Sequence, residues 1–264
     1  MKTKVTVKNG GVTLPVTLQG DGQQIIFVNG GGATQYSWKG VLQHLRGSYQ
    51  TVTFDVRGHG KASAAKDYSF EAFLSDVETV IGRVARGKPI VVGWSFGADL
   101  AVMYAARHPS AVAGVVVVDG AVPIAETLTE DEVKMREAIN RPAMKLSMAL
   151  MRLTPYGYAL TGDMLADLVM DLNIRRQRLL EVYATLDCPI TLLIALKSIG
   201  INGAHAERGN RIWREGAERL HVAHPEMGLR WVDDGHKFPL NHPESVSQVV
   251  DAFAQQLSAQ PVRS

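Results

Sequence analysis

The chain has 264 residues, 28 basic against 26 acidic, and a net charge of +2 with 20% charged side chains. That length suits one large α/β domain with an insertion, and so even a charge balance leaves no basic face that argues for nucleic acid. A single cysteine, Cys188, excludes an internal disulfide and fits a reducing compartment; it precedes Pro189 at a strand start and reads as a buried filler. Residues 1–22 lack the apolar stretch of a signal peptide, and no run of 18 apolar residues occurs. A soluble, cytoplasmic protein with no membrane partner is the expectation.

Lys4–Val7 and Val12–Leu18 alternate as two antiparallel strands joined by Asn9-Gly10-Gly11. Ile25–Val28 is a buried strand and runs straight into Asn29-Gly30-Gly31-Gly32. A helix is expected from Ser37-Trp38 to Leu45, a strand over Thr51–Asp55, and then the turn-rich Val56-Arg57-Gly58-His59-Gly60. Phe70–Val84 has apolar residues at helical spacing, and Ile90–Val92 and Val115–Asp119 read as buried strands. Between Val122 and Asp187 the strand rhythm stops; Met135, Met144, Met148, Met151, Met164 and Met170 lie there among helical patterns. Strands resume at Pro189–Ile194 and Leu229–Val232, with helices over about 206–222 and 243–257. Strands alternating with helices imply a parallel sheet covered on both faces.

The organising stretch is Ile90-Val91-Val92-Gly93-Trp94-Ser95-Phe96-Gly97, which passes from buried strand through Gly-x-Ser-x-Gly into an Ala-rich helix. A turn this sharp needs small residues two before and two after the serine, and it exposes the hydroxyl over a helix N-terminus. The competing reading, a glycine-rich phosphate turn, lacks both a Walker lysine and a Gly-x-Gly-x-x-Gly. Three glycines directly after a buried strand fit close backbone approach to a ligand.

With these motifs in this order the chain resembles the α/β-hydrolase fold family over essentially its whole length. The residues that carry the resemblance are Phe27-Val28-Asn29-Gly30-Gly31, Asp55–Gly60, Gly93–Gly97, and Asp234-Gly235-His236-Lys237-Phe238-Pro239 followed by His242-Pro243-Glu244. It implies an α/β core over residues 1–121 and 188–264, with a helical cap over 122–187 inserted after the sixth strand. Ser95 is then the nucleophile and His236 its base, since a serine hydroxyl needs a base within reach and imidazole titrates near neutrality. The oxyanion would be held by the backbone N–H groups of Phe96 and, by the resemblance, Gly31. Asn29 stands where the family usually has a histidine that buttresses this loop. His59 and His242 look structural by the same resemblance.

The acid departs from the pattern. Most of the family places it after the strand that is here Pro189–Ile194, but this chain has Ser198 there and no carboxylate before Glu207. A minority of the family places it at the end of the preceding strand, where Asp119 lies 24 positions past Ser95. Asp119 is therefore preferred over Asp233 and Asp234, since such near neighbours seldom curl back onto the Nδ1 of their own histidine.

The expected activity is cofactor-free hydrolysis of an ester or lactone of a small to medium apolar substrate, with Gly30, Trp94, Met148 and Met151 along the pocket. No metal-ligand spacing appears. A C–C bond hydrolase with the same triad and a non-catalytic binding protein are the alternatives, and a homodimer is compatible with the sequence.

Overall fold

The computed structural model describes residues 2–126, 136–137, 139–151, 154, 157–199 and 203–259. Eight strands form one sheet in the order β1-β2-β4-β3-β5-β6-β7-β8. They are β1 (Lys2–Asn9), β2 (Val12–Gln19), β3 (Gln23–Val28), β4 (Tyr49–Phe54), β5 (Ile90–Trp94), β6 (Gly114–Val118), β7 (Ile190–Lys197) and β8 (Gly228–Gly235). β2 is antiparallel to both neighbours, and from β4 to β8 every pairing is parallel.

Period-two alternation sorts the central strands into two cores. Ile25 and Phe27 of β3, Ile90, Val92 and Trp94 of β5, and Val116 and Val118 of β6 face one side. There they meet α1 (Lys39–His44), α8 (Phe238–Asn241) and α9 (Pro243–Ala259) through Val41, Phe238, Val246 and Phe253. Ile26, Val28, Val91, Val115 and Val117 face the other side, against α2 (Phe70–Val84), α3 (Phe96–Arg107) and α7 (Ala204–Ala223). These strands are buried on both faces, which is why they read as continuous apolar runs; each fully buried Val or Ile contributes about 1.5–3 kcal/mol over its exposed state.

The elements follow the sequence expectation with local differences. A 3-10 turn over Gln35–Trp38 precedes α1, so the expected single helix from Ser37 divides in two. β8 continues to Gly235, three residues past the apolar run, because its pairing with β7 reaches Lys197↔Gly235. The short α8 has no apolar period long enough to announce it, and Pro239 in its first turn is where proline is tolerated.

Between β6 and β7 lie α4 (Pro142–Met151), α5 (Gly162–Gln177) and α6 (Leu179–Tyr183). Thr161 caps α5 by accepting from the Met164 N–H. The end of α5 is tied to the core: Arg176 makes two bonds to Asp99 of α3, at 2.9 and 2.6 Å, and its carbonyl accepts from Ile124 N–H. The Tyr183 hydroxyl donates to the Ala121 carbonyl. Met135 lies outside the described residues.

Candidate active site

β5 delivers Ser95 at the C-terminal edge of the sheet, in a conformation with φ 55° and ψ −125°. A side chain forced into that region is strained, and two glycines make the turn possible. A Cβ on Gly93 would collide with the Gly97 carbonyl and Ala98, and one on Gly97 with the carbonyls of Val28 and Asn29. The Ser95 N–H is held by the Val118 carbonyl at 2.9 Å. Every neighbour from Ile90 to Leu100 is buried, while Ser95 itself is half-buried.

His236 follows directly on β8 and reaches both partners. Its Nε2 lies 2.8 Å from Ser95 Oγ and its Nδ1 2.6 Å from Asp119 Oδ2. An ionised carboxylate can only accept, so Nδ1 carries the hydrogen and Nε2 is left to accept from the serine hydroxyl. Trp94 lies beneath: its Nε1 donates to the His236 carbonyl at 3.2 Å, and the two rings are 5.8 Å apart.

Asp119 sits one residue past β6 with φ 44° and no exposed side-chain surface. Its N–H donates to the Leu193 carbonyl, so β7 fixes the backbone. Oδ1 accepts from Ala195 N–H and from Trp213 Nε1, each at 3.0 Å, while Oδ2 accepts from His236 and from the Ser198 hydroxyl at 2.7 Å. Four donors offset the desolvation of a buried carboxylate. The guanidinium of Arg176 stacks over Trp213, 5.1 Å from its ring centroid. Burial works against that charge, but Asp99 and, further off, Asp119 hold Arg176 protonated above the ordinary arginine range. Asp233 instead pairs with Lys197 at 2.7 Å, and Asp234 lies 3.6 Å from His242 and accepts from Gly235 N–H.

The loop after β3 is held from three sides. Asn29 donates to the Phe54 carbonyl and accepts from Trp38 Nε1, at 2.7 and 2.8 Å. The Gly32 N–H donates to His59 Nε2 at 3.1 Å, while His59 Nδ1 donates to the Arg57 carbonyl. Burial pushes the His59 imidazole below its ordinary range, and only a neutral ring can accept at Nε2. A Cβ on Gly30 would press on Ser95 Cβ and Trp94 O, and one on Gly31 would meet Phe96 Cβ at 3.7 Å. The Gly31 backbone thus stands beside that of Phe96, whose N–H opens α3 and belongs to the first turn, where the helix supplies no partner.

The expected pocket residues divide. Gly30 lies at the serine. Trp94 turns its ring under His236, because the even positions of β5 face the α1/α9 core. Phe96 packs into the opposite core against Phe70 and Phe73. Met148 is buried in a cleft of 350 Å³ with Asn140, Leu160 and Asp163, which includes none of Ser95, Asp119 and His236, and Met151 is exposed. A separate cleft of 420 Å³ between α2 and α5 is lined by Tyr68, Phe70, Met164, Leu168 and Arg175. Sequence reasoning missed Trp213, Arg176 and Asp99, which sit 94, 77 and 77 positions from the groups they bond, with no local signal. Among the described residues no cluster of three His, Cys, Asp or Glu could hold a metal ion, and no helix is long and apolar enough to cross a membrane.

Comparison with known proteins agrees with this architecture. The profile of a family described as alpha/beta hydrolase fold matches residues 24–168, more than half of the chain. The chain belongs to the α/β-hydrolase fold family. A 2-(acetamidomethylene)succinate hydrolase of Mesorhizobium japonicum is 31% identical over 128 residues, 48% of this chain and 46% of that protein. Epoxide hydrolase 3 of Xenopus tropicalis is 28% identical over 126 residues, 46% of this chain and 34% of its own. The matches thus span less than half the length of these two curated relatives. Among solved structures, an esterase from Exiguobacterium antarcticum superposes with a TM-score of 0.76 at 17% identity, covering 96% of this chain and 100% of its own. The haloalkane dehalogenase DatA from Agrobacterium tumefaciens C58 reaches 0.72 at 17%, covering 97% of each chain. At these identities the structural likeness is one of fold.

Proposed function

We propose that this protein is a serine hydrolase that cleaves a carboxylic ester or lactone of a small to medium apolar substrate through an acyl-enzyme, without a cofactor. The relay Ser95 Oγ–His236 Nε2–Asp119 Oδ2, at 2.8 and 2.6 Å, carries the reading. Ser95 Oγ attacks the carbonyl carbon while its proton passes to His236 Nε2. The oxyanion sits between the Phe96 and Gly31 N–H groups, and Asp119 stabilises the imidazolium. Collapse breaks the C–O bond, and the leaving alkoxide takes the proton from Nε2; in a lactone it stays tethered to the acyl group. Water then gives a proton to His236, attacks the acyl carbon and releases Ser95.

The apolar preference is read from the methionine-rich helices between β6 and β7; the 420 Å³ cleft beside Phe70 includes none of Ser95, Asp119 and His236 and carries Lys66, Asp167, Asp171 and Arg175 in its lining. We read residues 122–187, which include α4 to α6, as the helical cap.

The test is intact-mass labelling by a fluorophosphonate alongside hydrolysis of p-nitrophenyl butyrate and a γ-lactone. One adduct is expected on the wild type, none on Ser95→Ala, and labelling slowed by about 10³-fold or more in His236→Ala and Asp119→Asn. A wild type that neither labels nor turns over either substrate points to a binding protein and overturns the reading. Unchanged labelling of Asp119→Asn removes Asp119 as the acid.

A further inference from the structure

We propose that Ser198 is a positioning residue of the Ser95–His236–Asp119 relay: its hydroxyl holds the same carboxylate oxygen that receives His236 Nδ1–H and so limits how tightly Asp119 grips the imidazolium. The inference rests on the proposed hydrolase reading and adds a fourth side chain to it. Ser198 Oγ lies 2.7 Å from Asp119 Oδ2 and 3.4 Å from His236 Nδ1. Serine, histidine and carboxylate oxygen thus close a triangle in which two donors share Oδ2. Asp119 Oδ1 is engaged by Ala195 and Trp213, so the carboxylate is held on both oxygens.

The position is built. The β7–β8 register shifts between Ala195 and Lys197, just before Ser198, and such irregularities re-aim the side chains that follow. The residues flanking Ser198 are clamped to α7: Arg214 donates to the Leu196 carbonyl at 3.0 Å, and Ile199 N–H donates to Asn210 Oδ1 at 2.8 Å. The hydroxyl therefore needs little reorganisation to serve Asp119.

The direction of the effect follows from the distances. The 2.7 Å bond spends part of the Oδ2 charge on Ser198, whereas the 3.4 Å approach of Oγ to Nδ1–H is too long to compensate. Without the hydroxyl, Oδ2 serves His236 alone and the imidazolium is favoured. The other charges near His236 stay as they are: Asp233 and Asp234 on its own strand, Lys237 beside it, Lys197 paired with Asp233, Arg176 behind Asp119, and His242 near Asp234.

The experiment follows the His236 ring by NMR titration in Ser95→Ala and in Ser95→Ala with Ser198→Ala or Ser198→Thr, the ring being assigned from His236→Gln. The expected midpoint is higher by about half a pH unit with Ser198→Ala, and near the reference value with Ser198→Thr, which keeps the hydroxyl. In the Ser95-containing protein the acid limb of kcat/KM for p-nitrophenyl butyrate moves up equally. Coincident midpoints in all three proteins overturn the proposal, as does a loss of kcat that is uniform with pH and follows thermal stability. The titration needs no turnover, so a protein that hydrolyses nothing fails the functional reading while Ser198 is still tested.

Discussion

The turn at Ser95 and α4, between β6 and β7, are built on opposite terms. From Ile90 to Leu100 only Ser95 escapes burial, and its strained backbone is held by bonds to neighbouring strands and by glycines that nothing larger can replace. In α4 only Met148 is buried, while Met144, Leu146, Leu150 and Met151 are exposed by 37–62%. The first region tolerates strain because packing around it is over-determined; the second has little packing to lose. α5 and α6 meet the core through buried Leu168, Leu172, Leu179 and Tyr183 and through the Arg176–Asp99 ion pair. Arg176 joins α5 to Asp99 of α3 and stacks on Trp213, which in turn donates to Asp119.

That junction is where the contrast breaks most readily. Arg176→Leu leaves Asp99 buried without its counter-charge and is expected to destabilise the protein by about 3–5 kcal/mol, read as a lower denaturant midpoint. Asp99→Leu combined with Arg176→Leu should recover much of that loss, because two apolar side chains need no pairing. A single variant as stable as the wild type would show that the junction does not hold the two regions together.

A smaller, pH-dependent effect is expected on the core side. His59 is buried neutral, with its affinity for protons pushed down by burial. The unfolded chain takes up that proton below about pH 6.5 and the folded one does not. The stability His59 contributes is therefore whole above that pH and is lost as pH falls through it. The drop in Tm from pH 7.5 to pH 5.5 should be smaller in His59→Gln than in the wild type; equal drops would show that His59 is not the group responsible.

The least effect is expected on α4. Leu146→Ser should change stability by no more than about 0.5 kcal/mol, since the side chain is 62% exposed. A loss of several kcal/mol would place Leu146 in a packed interface and erase the contrast.

Much of the candidate site was legible because its signals are local. Gly93, Ser95 and Gly97 are read within five residues, and the apolar strands before and after them alternate or run continuously according to how many faces they bury. His236 was legible from its own loop, and Asp119 by the vacancy at Ser198 together with its place at a strand end. What went unread lies across the sheet. The placement of Trp94 under His236 depends on which face of β5 meets α1 and α9, and period two alone does not say which face carries the pocket. Likewise Met148 and Met151 are apolar at helical spacing, and that spacing does not tell which cleft a helix covers.

The amino-acid order by itself determined the βα rhythm, the sharp turn at Ser95 and the identity of the relay's candidates, since each depends on residues that touch their near neighbours in the chain. Only the tertiary structure decided that Ser198, Trp213 and Ala195 converge on Asp119 and that Arg176 reaches Asp99 from between β6 and β7. Those contacts join residues 76 to 94 positions apart: parallel pairing places the ends of β6 and β7, with Ala195 and Ser198, beside Asp119, while Trp213 arrives from α7 and Arg176 joins two helices, α5 and α3.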